Sequence, residues 1–331
     1  MSHDDTPSAP GPFAHELQAL VQALVQAATL APSSHNTQPW LFRLWPGGVD
    51  LLADRTRALP VNDPFDRELV ISCGCALFSL RVAAAAERLD AVVALCPGGA
   101  DADLLARVQL QPAASPLPLA ALRAALAQRR TYRQRFANAV VDPEAALALR
   151  DAVRHEGAEL QLLVTAHQRV HAAELVSEGD AMLWADPRWK RELAAWMHPR
   201  RRGDGLTLPA LALPLAQQVV RSFDMGQGVA ARDRQLADES PLLAVLSTAG
   251  DTPVDWLVAG QALQRLLLLA VQHGLQASYL NQPLAVPTLR PQLQQLTGLP
   301  GHAQVLLRLG VPSQTVPASP RRPVHDVMVS D

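Results

Sequence analysis

Ala31-Pro32-Ser33-Ser34-His35-Asn36-Thr37-Gln38-Pro39-Trp40 stands where a helical apolar pattern stops and an extended one begins. Upstream, Leu17, Leu20, Val21, Leu24 and Val25 recur at three- and four-residue spacing, which predicts an amphipathic helix over Glu16 to Thr29. Pro32 and Pro39 push Ala31 and Gln38 out of the α region, so the junction becomes a rigid polar loop. Its Ser and Asn side chains offer hydroxyl and amide groups to a planar ligand, and Trp40 can pack beneath as an apolar floor. An ordinary helix terminus carries similar turn residues, but seldom ten positions in this order.

Outward from that loop, 331 residues suggest one large or two ordinary domains, and a hydrophobic share of 49% supplies a sizeable core. The formal net charge of −2 argues against a nucleic-acid footprint or a polybasic membrane patch, so the expected partners are small molecules. Met1 to Phe13 is polar and Pro-rich, without the basic start and apolar centre of a signal peptide, and no stretch reads as a membrane span. A cytoplasmic location is expected. Cys73, Cys75 and Cys96 cannot all pair and sit among apolar residues, which suits a reducing compartment.

Trp40 to Leu44 and Val49 to Ala53 read as a hairpin around Pro46-Gly47-Gly48, followed by a loop to Glu68 and a long helix over Leu69 to Leu89. Ala91 to Leu95 and Leu104 to Leu110 have strand character. After a Pro-rich connection, helices are expected over Leu119 to Ala127, Pro143 to His155 behind Asp142 as N-cap, and Trp256 to His273. Strands are expected over Glu159 to Val164, Leu242 to Ser247, Ala277 to Leu280 and Val305 to Leu309.

The chain also repeats. Ile71 to Leu80 lies without gaps over Leu257 to Leu266, pairing Gly74 with Gly260, Ala76 with Ala262, Leu77 with Leu263 and Leu80 with Leu266. At the same offset Leu89 meets Leu275, Ala91 meets Ala277 and Pro97 meets Pro283. Two Ala/Leu-rich helices share much by composition, but the downstream strand and proline do not follow from that. A missing Cβ at Gly74 and Gly260 would let the two helices cross closely at a pseudo-twofold axis.

The opening stretch resembles the A-P-S-S-x-N-x-Q-P-W signature of the nitroreductase-like flavin proteins, whose members hold FMN partly with this loop. Arg129-Arg130-Thr131-Tyr132-Arg133 resembles the family's R-R-S-x-R segment, with Thr131 where Ser is usual and an extra residue before Phe136. On that resemblance Pro32, Ser33, Ser34, Asn36 and Gln38 join Arg129, Arg130, Thr131 and Arg133 in binding FMN. Leu280, Asn281 and Gln282 would lie against flavin N5 and the C4 carbonyl. Arg321 would close the phosphate site.

Ordinary members carry both motifs in one domain and build their sites by pairing subunits, whereas here the motifs are split. No R-R-S-x-R precedes Ala31, and no A-P-S-S follows Phe136. This layout, with Asp54-Arg55-Thr56-Arg57, Asp66-Arg67-Glu68, Asp204-Gly205 and Ala277 to Pro283, resembles the single-chain Acg-like subgroup. It implies an α+β fold, a nitroreductase-like α/β/α sandwich, internally duplicated into a pseudo-dimer with one FMN. The expected halves are 14–112 and 113–331, the second carrying an inserted lid over about 166–240. Such a chain could act as a monomer.

The implied activity is hydride transfer from NAD(P)H through FMN to an electron-poor small-molecule acceptor, a nitroaromatic or quinone, without a protein acid or base. The rival expectation is an FMN storage protein with a closed lid. Trp189 to Trp196 has helical spacing and fits either core or lid. His167 and His171 lack the third ligand of a zinc site, and Gly226-Gln227-Gly228 lacks the strand of a dinucleotide fingerprint and reads as a flexible loop.

Overall fold

The computed structural model describes residues 12–98, 101–197, 203–206 and 226–329. The amphipathic stretch forms α1 (Pro12–Ala28), which buries Val21, Leu24 and Val25. It delivers the loop to β1 (Trp40–Trp45), paired antiparallel with β2 (Gly48–Ala53) as the hairpin expected. The proline-free run after Asp66 winds into α2 (Arg67–Ala86), followed by β3 (Leu89–Leu95) and β4 (Leu104–Pro112).

The second part opens with a short 3-10 turn and α3 (Arg123–Gln128), then α4 (Pro143–His155), where Asp142 accepts from Glu144 N at 3.0 Å. β5 (Glu159–Leu162) stops before the exposed Val164. Between β5 and β6 (Leu242–Thr248) lie α5 (Ala166–Ala185), α6 (Pro187–Ala195) and α7 (Gly226–Asp238). The expected flexible loop at Gly226 is therefore the start of α7, because the residues after Gly228 are good helix formers. His198 and Arg200 to Arg202 of the expected lid lie outside the described residues.

β6 leads to α8 (Pro253–Gln272), β7 (Gln276–Tyr279), α9 (Gln282–Ala285), α10 (Arg290–Thr297) and β8 (His302–Gly310). The chain ends with α11 (Val324–Val327) and β9 (Met328–Val329). One sheet runs β3-β4-β2-β1-β9; the other, read from its far edge, runs β7-β8-β6-β5. In each, two strands lead into a long helix and two more return, all four antiparallel to their neighbours. The two parts thus share one topology. β9 breaks the correspondence by returning to lie parallel to β1, pairing Phe42 with Met328.

α2 and α8 occupy equivalent positions at the repeat offset and cross at their matched glycines. A Cβ on Gly74 would sit 2.5 Å from Leu257 O, and one on Gly260 would sit 2.1 Å from Ile71 O. Only hydrogen at both positions permits that approach. The Cys75 thiol meets Gly260 O at 3.2 Å, and Gln264 Nε2 donates to Ser79 Oγ at 2.9 Å. At the helices' flank Glu156 accepts from both Arg81 and Arg265 at 2.6 Å. Around this crossing Leu77, Phe78, Leu80, Leu266 and Leu268 are sealed from solvent, each burial stabilising by about 1.5–3 kcal/mol.

Candidate functional site

Because the two long helices hold the parts together, the loop after α1 and the segment after α3 meet. Both open onto one cavity of about 360 Å³. Its lining includes Pro32, Ser33 and Ser34 from the first part, Thr131 and Arg133 from the second, and Tyr279, Asn281 and Gln282 from the end of β7. Trp184, Trp189, Leu193, Leu206 and Val229 close it from the inserted segment.

The loop is wound tightly. His35, Asn36 and Gln38 have φ of 48°, 55° and 51°, the left-handed region that costs non-glycine residues energy and concentrates at binding sites. Gln38 is thereby out of the right-handed helix ahead of Pro39, though in the left-handed region rather than the extended one that a following proline favours. Its backbone N–H donates to Ser33 Oγ at 2.9 Å and closes the turn, while Ser34 Oγ donates to the buried Glu68 carboxylate. His35 Nδ1 is buried without a partner among the described residues, and burial first, then the nearby Arg133, pulls its pKa down to about 4.

Arginines from both ends of the second part gather behind the loop. Arg129, 5% exposed, and Arg321 each donate to Leu30 O, at 3.5 and 3.2 Å. Arg129 Nε and Nη1 and Arg321 Nε are buried without a partner among the described residues. Burial, with Arg129 and Arg130 adding repulsion, pushes Arg321 down to about 9. Arg129 is lowered by burial first, and Arg130 and Arg133 oppose its charge. Arg133, open to the cavity, is lowered too, mainly because protein surrounds it. Among the described residues no carboxylate bonds Arg129 or Arg321, and buried guanidinium groups with spare donors are an arrangement that an anion would complete.

The expected residues divide into two sets. Pro32, Ser33, Ser34, Thr131, Arg133, Asn281 and Gln282 line the cavity. Asn36 and Gln38 do not, and their amides are spent on protein: Asn36 bonds Gly205 O, Pro320 O and Arg321 Nη1, and Gln38 bonds Gly203 O and Arg322 N. They position the loop against the C-terminal segment rather than face a ligand. Leu280 is core, 2% exposed, with its N–H committed to Leu306 O at 2.9 Å. Arg130 folds back onto Ala127 O at 2.7 Å and adds charge from behind.

Several wall residues escaped the sequence reading. Glu68 and Tyr279 sit inside quoted segments but were given no role, while Cys75 and Asp180 had no local signal at all. Trp184 and Trp189 pack edge to face, ring centres 5.4 Å apart, so the tryptophans serve as core and cavity wall together. The insert is pinned to the first part: Glu192 accepts from Val61 N and Asn62 N at 2.9 and 2.8 Å, and Trp189 Nε1 donates to Asn62 at 2.9 Å. Arg57 pairs with Asp204 and lies over the Trp196 ring.

Two parts of one α+β topology thus meet at a cavity lined by the strained polar loop of the first and by Thr131 and Arg133 of the second, with Arg129 and Arg321 gathered behind that loop and outside the cavity lining. No protein-family model matches the chain. Relatives do. The Mycobacterium tuberculosis protein Rv3127, of uncharacterized function, is 32% identical over 93% of this chain and 92% of its own. Two further proteins of that organism bear the name "Putative NAD(P)H nitroreductase": Rv3131, 31% identical over 93% of this chain and 90% of its own, and acg, 29% identical over 93% and 95%. The chain belongs to this nitroreductase-like family. A solved FMN- and NADPH-dependent nitroreductase, NfnB from sphigopyxis sp. strain HMH, aligns over 62% of this chain and 96% of its own, with 18% identity and a TM-score of 0.41, too loose to carry an argument.

Proposed function

We propose that the chain is an FMN-dependent oxidoreductase of nitroreductase type, in which the halves 14–112 and 113–331 arose by duplication and together form one flavin site. The observation that carries this reading is the pairing, at Leu30 O, of Arg129 and Arg321 with three buried guanidinium nitrogens unsatisfied. A flavin phosphate matches that need in charge and in acceptor count. FMN would supply hydride chemistry there, between a reduced nicotinamide and an electron-poor acceptor such as a nitroaromatic or quinone.

The chain's own residues have separate tasks. Arg129 and Arg321, with Arg130 behind, would hold the phosphate, and the Ser33, Ser34 and Thr131 hydroxyls would meet the ribityl chain. Arg133, projecting into the cavity, would place positive charge where a reduced flavin carries negative charge. Asn281 and Gln282 would bound the flavin's reacting edge. Trp184 and Trp189 exclude water from the remaining space and favour a flat acceptor.

The pinning of the inserted helices by Glu192, Trp189 and Arg57 favours a second reading, storage of FMN beneath a closed cover. Anaerobic stopped-flow mixing of the FMN-loaded protein with NADPH separates the two. Rapid bleaching followed by reoxidation with a nitroaromatic supports the enzyme. A flavin that dithionite bleaches and NADPH does not supports storage and rejects turnover.

A further inference from the structure

The chain has two tyrosines, and the fold treats their hydroxyls differently. Tyr132 Oη has three partners: it meets Ser313 Oγ at 2.8 Å, accepts from Ser313 N at 3.0 Å and donates to Arg135 O at 3.2 Å. Tyr279, at the end of β7, lines the cavity, and its hydroxyl is buried with no partner among the described residues. An unpaired buried hydroxyl costs stability, so a purely structural ring here would serve better as phenylalanine. At the repeat offset that matches Ala91 with Ala277, Tyr279 falls on Val93 of β3, which packs against the core. The strand position thus needs no hydroxyl in the half that lacks the Arg-rich segment.

What surrounds that hydroxyl is positive. Arg129 after α3, Arg133 in the cavity wall and Arg321 of the C-terminal segment all act on it. The Cys75 thiol, which acts on it too, is already bonded to Gly260 O at 3.2 Å. Burial, the largest influence, holds the phenol above its ordinary pKa against the pull of Arg129, so it keeps its proton and stays a donor. Arg129 and Arg321 stand outside the cavity lining, whereas Tyr279 and Arg133 belong to it. The phenol is therefore placed where a negative group carried in from the cavity would meet the guanidinium nitrogens that Arg129 and Arg321 leave unsatisfied.

We propose that Tyr279 is a specificity-determining residue that makes the cavity select phosphorylated flavin, its hydroxyl donating to a phosphate oxygen. This rests on the flavin reading above and adds to it the choice between FMN and riboflavin, which share ring and ribityl chain and differ in the phosphate alone. A phosphate offers acceptors to the arginines and the phenol at once. The uncharged terminal hydroxyl of riboflavin would leave most of these donors buried and unpaired, and a site built to bond a group rejects the analogue that lacks it.

Tyr279→Phe keeps the ring and removes the hydroxyl, and the flavin-free variant should melt no lower than the native chain. Fluorescence titration should show its FMN affinity reduced about tenfold and its riboflavin affinity unchanged within about twofold, so the preference for FMN falls about tenfold. Because the chain holds two tyrosines, labelling with m-fluorotyrosine gives two fluorine resonances, which Tyr279→Phe assigns. Saturating FMN should move that of Tyr279 and leave that of Tyr132 in place. Should Tyr279→Phe not fold, Tyr132→Phe makes the assignment and the fluorine measurement decides. An unchanged preference for FMN, or equal loss of FMN and riboflavin affinity, overturns the proposal, because the phenol would then act on the ring or on the fold alone. A Tyr279 resonance that FMN leaves unmoved overturns it too. A native chain that takes up neither flavin sinks the flavin reading and the proposal with it, and is recognised before any variant is made.

Discussion

Replacing Arg129 by Met keeps most of the apolar stem and removes the guanidinium, and the two states of the protein should respond with opposite sign. Without flavin, Arg129 is buried with Nε and Nη1 unsatisfied, one weak bond at 3.5 Å, and like charges from Arg130 and Arg133 against it. Each orphaned buried donor costs about 1–3 kcal/mol, so their removal should stabilise the flavin-free fold by about 2 kcal/mol. With flavin bound, the same two nitrogens become charge-assisted donors, and their loss should weaken FMN binding by about 3–4 kcal/mol, or about two to three orders of magnitude. Calorimetric unfolding of the flavin-free protein and fluorescence titration with FMN read the two quantities. A variant that melts lower and binds FMN as before would refute the reasoning, since Arg129 would then be an ordinary structural group.

Gly260→Ala should destabilise the protein despite the better helix former: overpacking against Ile71 O costs about 1–3 kcal/mol, and more at the 2.1 Å approach, while helix propensity returns about 1 kcal/mol. An unshifted urea midpoint would count against the close crossing. His35 has its pKa lowered from 6.5 to about 4, so below 6.5 the unfolded chain takes a proton that the folded chain refuses. Stability should fall by about 3 kcal/mol as pH drops across that window, and His35→Gln should remove that part of the acid limb in pH-dependent melting. Asn36→Ala cuts the ties to Gly205, Pro320 and Arg321 without touching the cavity wall, and should loosen FMN by about tenfold on loss of two to three hydrogen bonds. Equal retention of flavin on gel filtration would show that the loop holds its shape unaided.

Much of the frame was legible from local pattern. The apolar spacing of α1, the turn at Pro46-Gly47-Gly48 and the Asp142-Pro143 cap each state their structure within a few residues, because their causes are local. The offset that matched Ile71 with Leu257 carried through to α2 and α8 along their whole length. Less legible were the tasks of individual polar residues. Asn36 and Gln38 carry the same amide, on the same loop, as a ligand-binding residue would, and only their partners over 160 residues away assign them to positioning.

The chain alone therefore determined most of the elements and the repeat, and which residue types to expect at a candidate site, since helix period, proline geometry and missing β-carbons act between near neighbours. Tertiary structure decided which of those residues face the cavity. Leu280 turns into the core although Asn281 beside it lines the wall, and Asp180 meets Asp233 only because α5 and α7 fold over Gln282. Desolvation and pairing between distant charges depend on where the whole chain puts them, and no short stretch of sequence contains that information.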